Sequence, residues 1–298
     1  MAENQHPDSA GGSSGCPQTG TVYALVEIGM DVMKPTVLLL SGTSEGPILA
    51  QALLDAGFDV LATVTRAEAR VHLFGAMLQA MRVETRGFTE ESLQAFLTQG
   101  GAALVLDATH PYAVRITQIA ASVCARLGVP YVRYQRPDWE PPAETTVYAA
   151  GYAEAAALLP ELGSRILLTL GAKQLKHFAH LHDRLTQFAR VLPSPASVQQ
   201  ALDAGFAQGR ILALRPPFSQ AFNMSLLREY AIEVLVTKAS GAAGGVVEKV
   251  LAAHEMGLTT LMIHRPVQPE LAVVSSVEAA VQACQAYPQT GVADHVIP

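Results

Sequence analysis

The chain is predicted to be an α/β protein of two Rossmann-like lobes, each a mostly parallel sheet covered by helices, with a cleft between them. Three observations predict this. Short continuous apolar runs such as Val37-Leu38-Leu39-Leu40 recur, as strands buried on both faces require. Helix-length segments alternate with these runs at the spacing of right-handed crossovers. The alternation stops once, at the proline-rich stretch Arg136-Pro137-Asp138-Trp139-Glu140-Pro141-Pro142, and then restarts.

In chain order, the first run is followed by a helix near 44–56, a strand over 60–64 and a stretch without clear period. A strand near 81–85, a helix near 89–99, a strand over 103–106, a helix near 113–127 and a strand over 131–134 complete the first half. After the linker, strands are expected near 165–169, 185–191, 210–214, 233–237 and 259–263. Helices are expected near 152–160, 196–204, 219–230, 245–256 and 275–285. The domains are therefore placed at 35–140 and 141–298. Residues 1–34, with a Gly/Ser cluster from Gly11 to Gly15, are expected to be a flexible tail. A length of 298 residues fits two domains at roughly 150 residues each.

Composition narrows the function. Half the residues are apolar and 15% are charged, against about 25% charged in an average soluble chain, so the sequence is rich in core. Twenty Lys and Arg against 26 Asp and Glu give a net charge of −6. No basic field is available for a nucleic-acid backbone, so no nucleic-acid partner is expected. No apolar stretch approaches the roughly 20 residues that span a bilayer, so no membrane partner is expected either. Cys16, Cys124 and Cys284 are far apart, which suggests neither a zinc knuckle nor a disulfide framework and fits a reducing cytoplasm. Oligomeric state is not readable.

The candidate chemistry lies where strands end. Ser41-Gly42-Thr43-Ser44-Glu45-Gly46 links the first strand to a helix. There, backbone N–H groups at Gly42, Thr43, Ser44 and Gly46 can approach a phosphate at the positive end of the helix dipole. The alternative is a tight turn whose glycines only avoid clashes. The spacing is neither Gly-x-Gly-x-x-Gly nor a Walker sequence, and the Glu45 carboxylate is expected to point away from such an anion. Thr65 and Arg66 end the second strand, where an Arg accommodates the 2′-phosphate of NADP; a solvated helix-start Arg is the competing reading.

The fourth strand ends in Asp107-Ala108-Thr109-His110-Pro111-Tyr112-Ala113. Thr109 is a candidate cofactor contact, and His110 and Tyr112 are candidate proton donors, since His titrates near neutrality. A His before Pro is equally a loop former. In the second half, Lys173, Phe218, Ser219, Lys238, Ser240 and Gly241 follow strands. The loop Lys238-Ala239-Ser240-Gly241 suits a carboxylate or phosphate, with Lys238 as a point charge, or else is a flexible connector. His177, His180 and His182 do not share one helical face, and no metal site is expected.

The ordered set SGTSEG, DATHPYA, YVRYQRPDW, LTLGAKQL, PPFSQAFN, VTKASGAAGG and IHRP, spanning roughly residues 36–266, resembles the precorrin-6A reductase family, including its cobalt-precorrin counterpart. The resemblance implies two Rossmann-like lobes and reduction of one ring double bond of a corrin precursor, precorrin-6A to precorrin-6B, in cobalamin biosynthesis. NADPH is the implied cofactor, with NADH as the alternative. The family's usual opening Gly-Gly is Ser41-Gly42 here, its Gly-Pro-Phe is Pro216-Pro217-Phe218, and its Lys-Asp-Ser-Gly is Lys238-Ala239-Ser240-Gly241. The implied ligand is a broad apolar ring fringed with carboxylates. Arg115, Arg133, Arg136, Lys173, Arg215, Lys238 and Arg265 are the candidate cations for it, each at or near the end of an expected strand or in the linker. Two other readings stand beside this one. One is another NAD(P)H-dependent reductase, although no Tyr-x-x-x-Lys pair is present. The other is a corrinoid or nucleotide sensor that has lost the chemistry.

Overall fold

The computed structural model describes residues 34–241, 245–266, 271 and 273–287. The expected tail lies outside these residues except for Lys34. The first half runs β1 (Thr36–Leu40), α1 (Glu45–Asp55), β2 (Asp59–Val64), α2 (Ala67–Phe74), β3 (Arg82–Thr85), α3 (Glu90–Thr98), β4 (Leu104–Asp107), α4 (Val114–Leu127) and β5 (Tyr131–Tyr134). After the linker come β6 (Thr146–Ala149), α5 (Tyr152–Leu162), β7 (Arg165–Leu168), a 3-10 segment Ala172–Leu181, β8 (Thr186–Val191), α6 (Pro195–Asp203) and β9 (Ile211–Ala213). The chain continues through α7 (Gln220–Glu229), β10 (Val234–Lys238), α8 (Val246–Glu255), β11 (Thr259–Ile263), β12 (Val273–Val274) and α9 (Val277–Gln285).

Each sheet has six strands. The first has the order β12-β5-β4-β1-β2-β3 and the second β6-β11-β10-β7-β8-β9. Every pairing is parallel. In the first sheet the chain steps outward from β1 through β2 and β3, then returns to lay β4 against the other side of β1. In the second it does the same from β7, returning to place β10. The carboxyl ends of β1 and β4, and of β7 and β10, therefore flank the two points where strand order reverses. Open parallel sheets bind ligands at these points.

Burial explains the strands. Leu38 and Leu39 of β1 point to opposite faces and enter two different apolar clusters, both fully buried. Each such leucine contributes about 1.5–3 kcal/mol relative to an exposed one. Local signals set the helix ends. Thr89 and Ser92 exchange backbone and side-chain hydrogen bonds at the start of α3, Ser194 caps α6 with Pro195 next, and α4 stops at Gly128 with φ +68°.

The structure departs from the expected division in one respect. The sequence reading places everything after residue 140 in the second lobe, but β12 pairs with β5 and α9 buries Ala280 and Cys284 in the core of the first sheet. A two-residue strand carries no period to read, and its role is to cover an edge of β5. The stretch without clear period contains α2, whose apolar residues form no continuous stripe, and β6 was not anticipated because it is a short edge strand. Among the described residues no helix is long and apolar enough to cross a membrane.

Candidate active site

At the first reversal point, a cleft of about 120 Å³ is lined by Leu40, Ser41, Thr63, Thr65, Arg86, Gly87, Phe88, Thr109 and Ile116. The turn from β1 into α1 packs tightly: a Cβ on Gly46 would overlap the Ser41 side chain. Ser41 Oγ is buried with no hydrogen-bond partner among the described residues. Thr43 Oγ1 donates to the Ala108 carbonyl at 3.2 Å, tying this turn to the loop after β4. Gly42 and Ser44 are exposed beside it. An orphaned hydroxyl in a small-residue turn at a helix N-terminus fits the phosphate end of a dinucleotide.

The loop after β4 is held from beneath. Asp107, wholly buried, accepts from Thr109 N at 2.9 Å, Thr109 Oγ1 at 2.7 Å, Thr117 Oγ1 at 2.8 Å, Tyr131 Oη at 2.8 Å and Arg133 Nη1 at 2.6 Å. Arg133 is only 1% exposed and also donates to the Thr109 carbonyl at 3.0 Å. Arg133, a candidate rim cation in the sequence, is thus a buried brace under the loop that carries His110.

From this loop the chain reaches the second sheet. The Tyr112 hydroxyl donates to the Ile263 carbonyl at 2.6 Å, and the Lys238 ammonium lies 4.8 Å from the centre of the Tyr112 ring. Glu45 and Arg136 form a buried ion pair at 2.5 Å, and Arg136 also donates to the Ser240 carbonyl at 3.5 Å. The Glu45 carboxylate is therefore turned toward the linker. Burial raises the pKa of Glu45, but its hydrogen bond with Arg136 and that residue's charge outweigh this, and the net shift is downward. Arg265 bonds the Ala239 carbonyl at 2.8 Å, the Arg136 carbonyl at 3.3 Å and Asp138 at 2.9 Å. The carboxyl ends of the two sheets thus meet in direct contact.

Gly241 sits in this closure with φ +82°, and a Cβ there would lie 2.9 Å from both Arg265 Nη2 and the Pro137 carbonyl. Gly241→Ala is expected to cost about 1–3 kcal/mol in denaturant unfolding. Gly171→Ala, at φ +84° with open space around it, shows only the backbone part of that loss. Equal losses at the two positions would mean that close approach at Gly241 does not matter.

Electrostatics divides the candidates. Burial, with the Lys238 and Arg136 charges behind it, pushes the His110 pKa down to about 3, so the ring is neutral near pH 7. Its Nδ1 accepts from the Tyr112 backbone N–H at 3.2 Å, which leaves the proton on Nε2. Burial raises the Tyr112 pKa above its ordinary value. Burial also lowers Lys238 to about 8.

Other sequence candidates fall elsewhere. Arg66 is exposed at the start of α2, and Thr65 beside it lines the cleft. Arg115 is exposed on α4, where its charge reaches Glu91 of α3. Lys173 and Arg215 are exposed. Ser219 caps α7 by accepting from Phe222 N at 3.1 Å, and Phe218 stacks on Phe222 at 5.1 Å. Ser240 and Gly241 are buried in the lobe closure. His177 stacks on Tyr152 and His182 bonds the Ala204 carbonyl, so these rings do not converge. Sequence reasoning missed Arg86, which lines the cleft with its guanidinium 4.5 Å from the Phe88 ring centre. The only signal for it was an Arg at the carboxyl end of β3.

The fold defines a class of α/β protein in which two doubly wound parallel sheets present their carboxyl ends to each other. The chain matches the family model described as "Precorrin-6x reductase CbiJ/CobK" over residues 36–285. It is 36% identical to a cobalt-precorrin-6A reductase of Synechocystis, over 78% of this chain and 88% of the relative. It is 37% identical to a precorrin-6A reductase of Rhodococcus erythropolis, over 78% and 90%. A solved structure titled "CobK precorrin-6A reductase" superposes with a TM-score of 0.69 at 26% identity, covering 85% of this chain and 96% of that one. The chain belongs to the precorrin-6x reductase family.

Proposed function

We propose that this protein reduces one ring double bond of precorrin-6A, or of its cobalt form, with NADPH, yielding precorrin-6B in cobalamin biosynthesis. The observation that carries this reading is the direct meeting of the two sheets' carboxyl ends, where the Tyr112 hydroxyl bonds the Ile263 carbonyl and its ring lies beside Lys238, in a member of this family. When bound, a reduced nicotinamide supplies a hydride to one ring carbon, and a proton is required at the neighbouring carbon.

The protein's own contributions follow from the geometry. The Ser41 to Gly46 turn supplies backbone N–H groups and the Ser41 hydroxyl to the cofactor's phosphates, with Thr65 and Thr109 along the same wall. His110, neutral with its proton on Nε2, orients a substrate acceptor. Lys238 is protonated at neutral pH and, with its pKa lowered by burial, gives up its proton more readily than an exposed lysine, which supports it as the proton donor. The Tyr112 hydroxyl is committed to the Ile263 carbonyl and ties the loop after β4 to the end of β11. The two lobes orient two planar partners and exclude water between them.

The test is anaerobic incubation of the purified chain with precorrin-6A and NADPH. The expected result is loss of NADPH absorbance matched by a change in the tetrapyrrole spectrum. An unchanged spectrum, where an authentic reductase shifts it, overturns the reading. Cofactor choice is assigned to Arg86 rather than Arg66, because Arg86 lines the cleft. Arg86→Ala should lower the NADPH over NADH ratio of kcat/KM by about 10-fold or more, roughly 1.4 kcal/mol, while Arg66→Ala leaves it nearly unchanged. An unchanged ratio in Arg86→Ala removes the basis for preferring NADPH.

A further inference from the structure

Beside the meeting of the two sheets stands a pair of rings that the reaction as described does not use. Tyr152 opens α5 one turn before Ala155 and Ala156, which are buried on the second sheet, so it lies over the same face. His177 belongs to the 3-10 segment after β7. There Leu175, Phe178 and Leu181, three residues apart, turn one side to the core, while His177 stands off that side and is exposed. The two rings stack, with centroids 4.9 Å apart and planes inclined by 10°. Among the described residues neither the Tyr152 hydroxyl nor a His177 ring nitrogen has a hydrogen-bond partner.

Strand order places this stack. β11 and β10 lie between β6 and β7, and the elements that follow β6 and β7 carry Tyr152 and His177. Tyr112 docks on the carboxyl ends in between: its hydroxyl bonds the Ile263 carbonyl of β11, and its ring centre lies 4.8 Å from the ammonium of Lys238, the last residue of β10. The Tyr152 phenol is near enough to Tyr112 to add to burial in raising the Tyr112 pKa. The stack is therefore a neighbour of the contact between the lobes.

Its packing is one-sided. Tyr152 is half-buried against the apolar cluster under α5, whereas His177 is exposed, so the free ring face of the pair belongs to His177. Tyr152 holds that ring in one plane, and a flat conjugated system gains when laid offset upon it. A second such pair, Tyr148 with His264 at 4.6 Å and 12°, lies on the opposite face of the sheet, because Val147 and Ala149 on either side of Tyr148 join the cluster under α5. His264 is likewise exposed, which makes it a matched control.

We infer that the Tyr152–His177 stack is a platform for the tetrapyrrole, with the exposed face of His177 taking the edge of the flat macrocycle and Tyr152 fixing the plane of that ring. The inference rests on the proposed function for the identity of the ligand. His177 is a positioning residue in it and transfers no proton.

The test is a titration of the full chain with precorrin-6A, followed by tetrapyrrole absorbance with oxidised nucleotide present so that no turnover occurs. His177→Ala is expected to raise the Kd by about 3- to 10-fold, the scale of one lost aromatic contact. His177→Phe, which keeps a ring, and His264→Ala should both stay within about twofold of wild type. In turnover, His177→Ala should raise KM for the tetrapyrrole and leave kcat within about twofold. An unchanged Kd in His177→Ala, an equal rise in His177→Phe, or an equal rise in His264→Ala overturns the platform. Should His177→Ala not fold, His177→Gln, also without an aromatic ring, takes its place with the same expectations. Wild type that binds the tetrapyrrole but never oxidises NADPH overturns the reductase reading alone, and the titration still decides the platform. Wild type that does not bind the tetrapyrrole overturns both.

Discussion

Asp107→Asn is expected to destabilise the chain by about 3–5 kcal/mol, read as a lowered denaturant midpoint with an unchanged slope. Asp107 is fully buried and gathers five donors, among them the Arg133 guanidinium at 2.6 Å. The amide keeps one acceptor oxygen but turns an N–H₂ toward donors and leaves Arg133 as a buried charge without its counter-charge. Arg133 Nε already lacks a partner among the described residues, so nothing nearby absorbs the loss. The same carboxylate fixes Thr109, and through it the loop bearing His110, so turnover should fall with stability. A loss below about 1 kcal/mol would place the pair among those with little net worth.

The second large effect is at Lys238. Lys238→Met is expected to lower kcat by about 10²–10⁴-fold, the usual scale for a proton donor in the transition state. KM for NADPH should hardly change, since Lys238 belongs to β10 of the second sheet and not to the Ser41 to Gly46 turn that is assigned to the phosphates. The pH profile supplies a readout that loss of packing does not mimic. Lys238 acts in its protonated form and its pKa is lowered to about 8, so wild-type kcat should fall as pH rises through that value, and this limb should vanish in the variant. His110, with its pKa near 3, contributes no limb between pH 5 and 8. Full activity in Lys238→Met, or a limb that persists, would assign the proton to another source.

What the sequence reveals about this fold is what periodicity can encode. Buried parallel strands such as Val37 to Leu40 announce themselves, and their carboxyl ends locate the candidate loops. The return of β12 and α9 to the first sheet carries no local signature, because a two-residue edge strand is defined by the neighbour it covers. Site residues were legible as positions, less so as states. Lys238, His110 and Tyr112 do come together where the two sheets meet, but which of them holds a mobile proton depends on desolvation and on charges from other elements. Arg133 and Arg136 look like rim cations in one dimension. The folded chain pairs them with Asp107 and Glu45, residues 26 and 91 positions away.

The most direct test of the central claim is a crystal structure of the chain with oxidised nucleotide and the reduced tetrapyrrole bound together. The account predicts the nucleotide phosphates on the Ser41 to Gly46 turn and the macrocycle stacked on the nicotinamide between the two lobes. The Lys238 ammonium should lie within hydrogen-bond reach of the newly protonated position, directly or through one water. A macrocycle bound on an outer surface, with Lys238 and His110 both remote from it, would contradict the account.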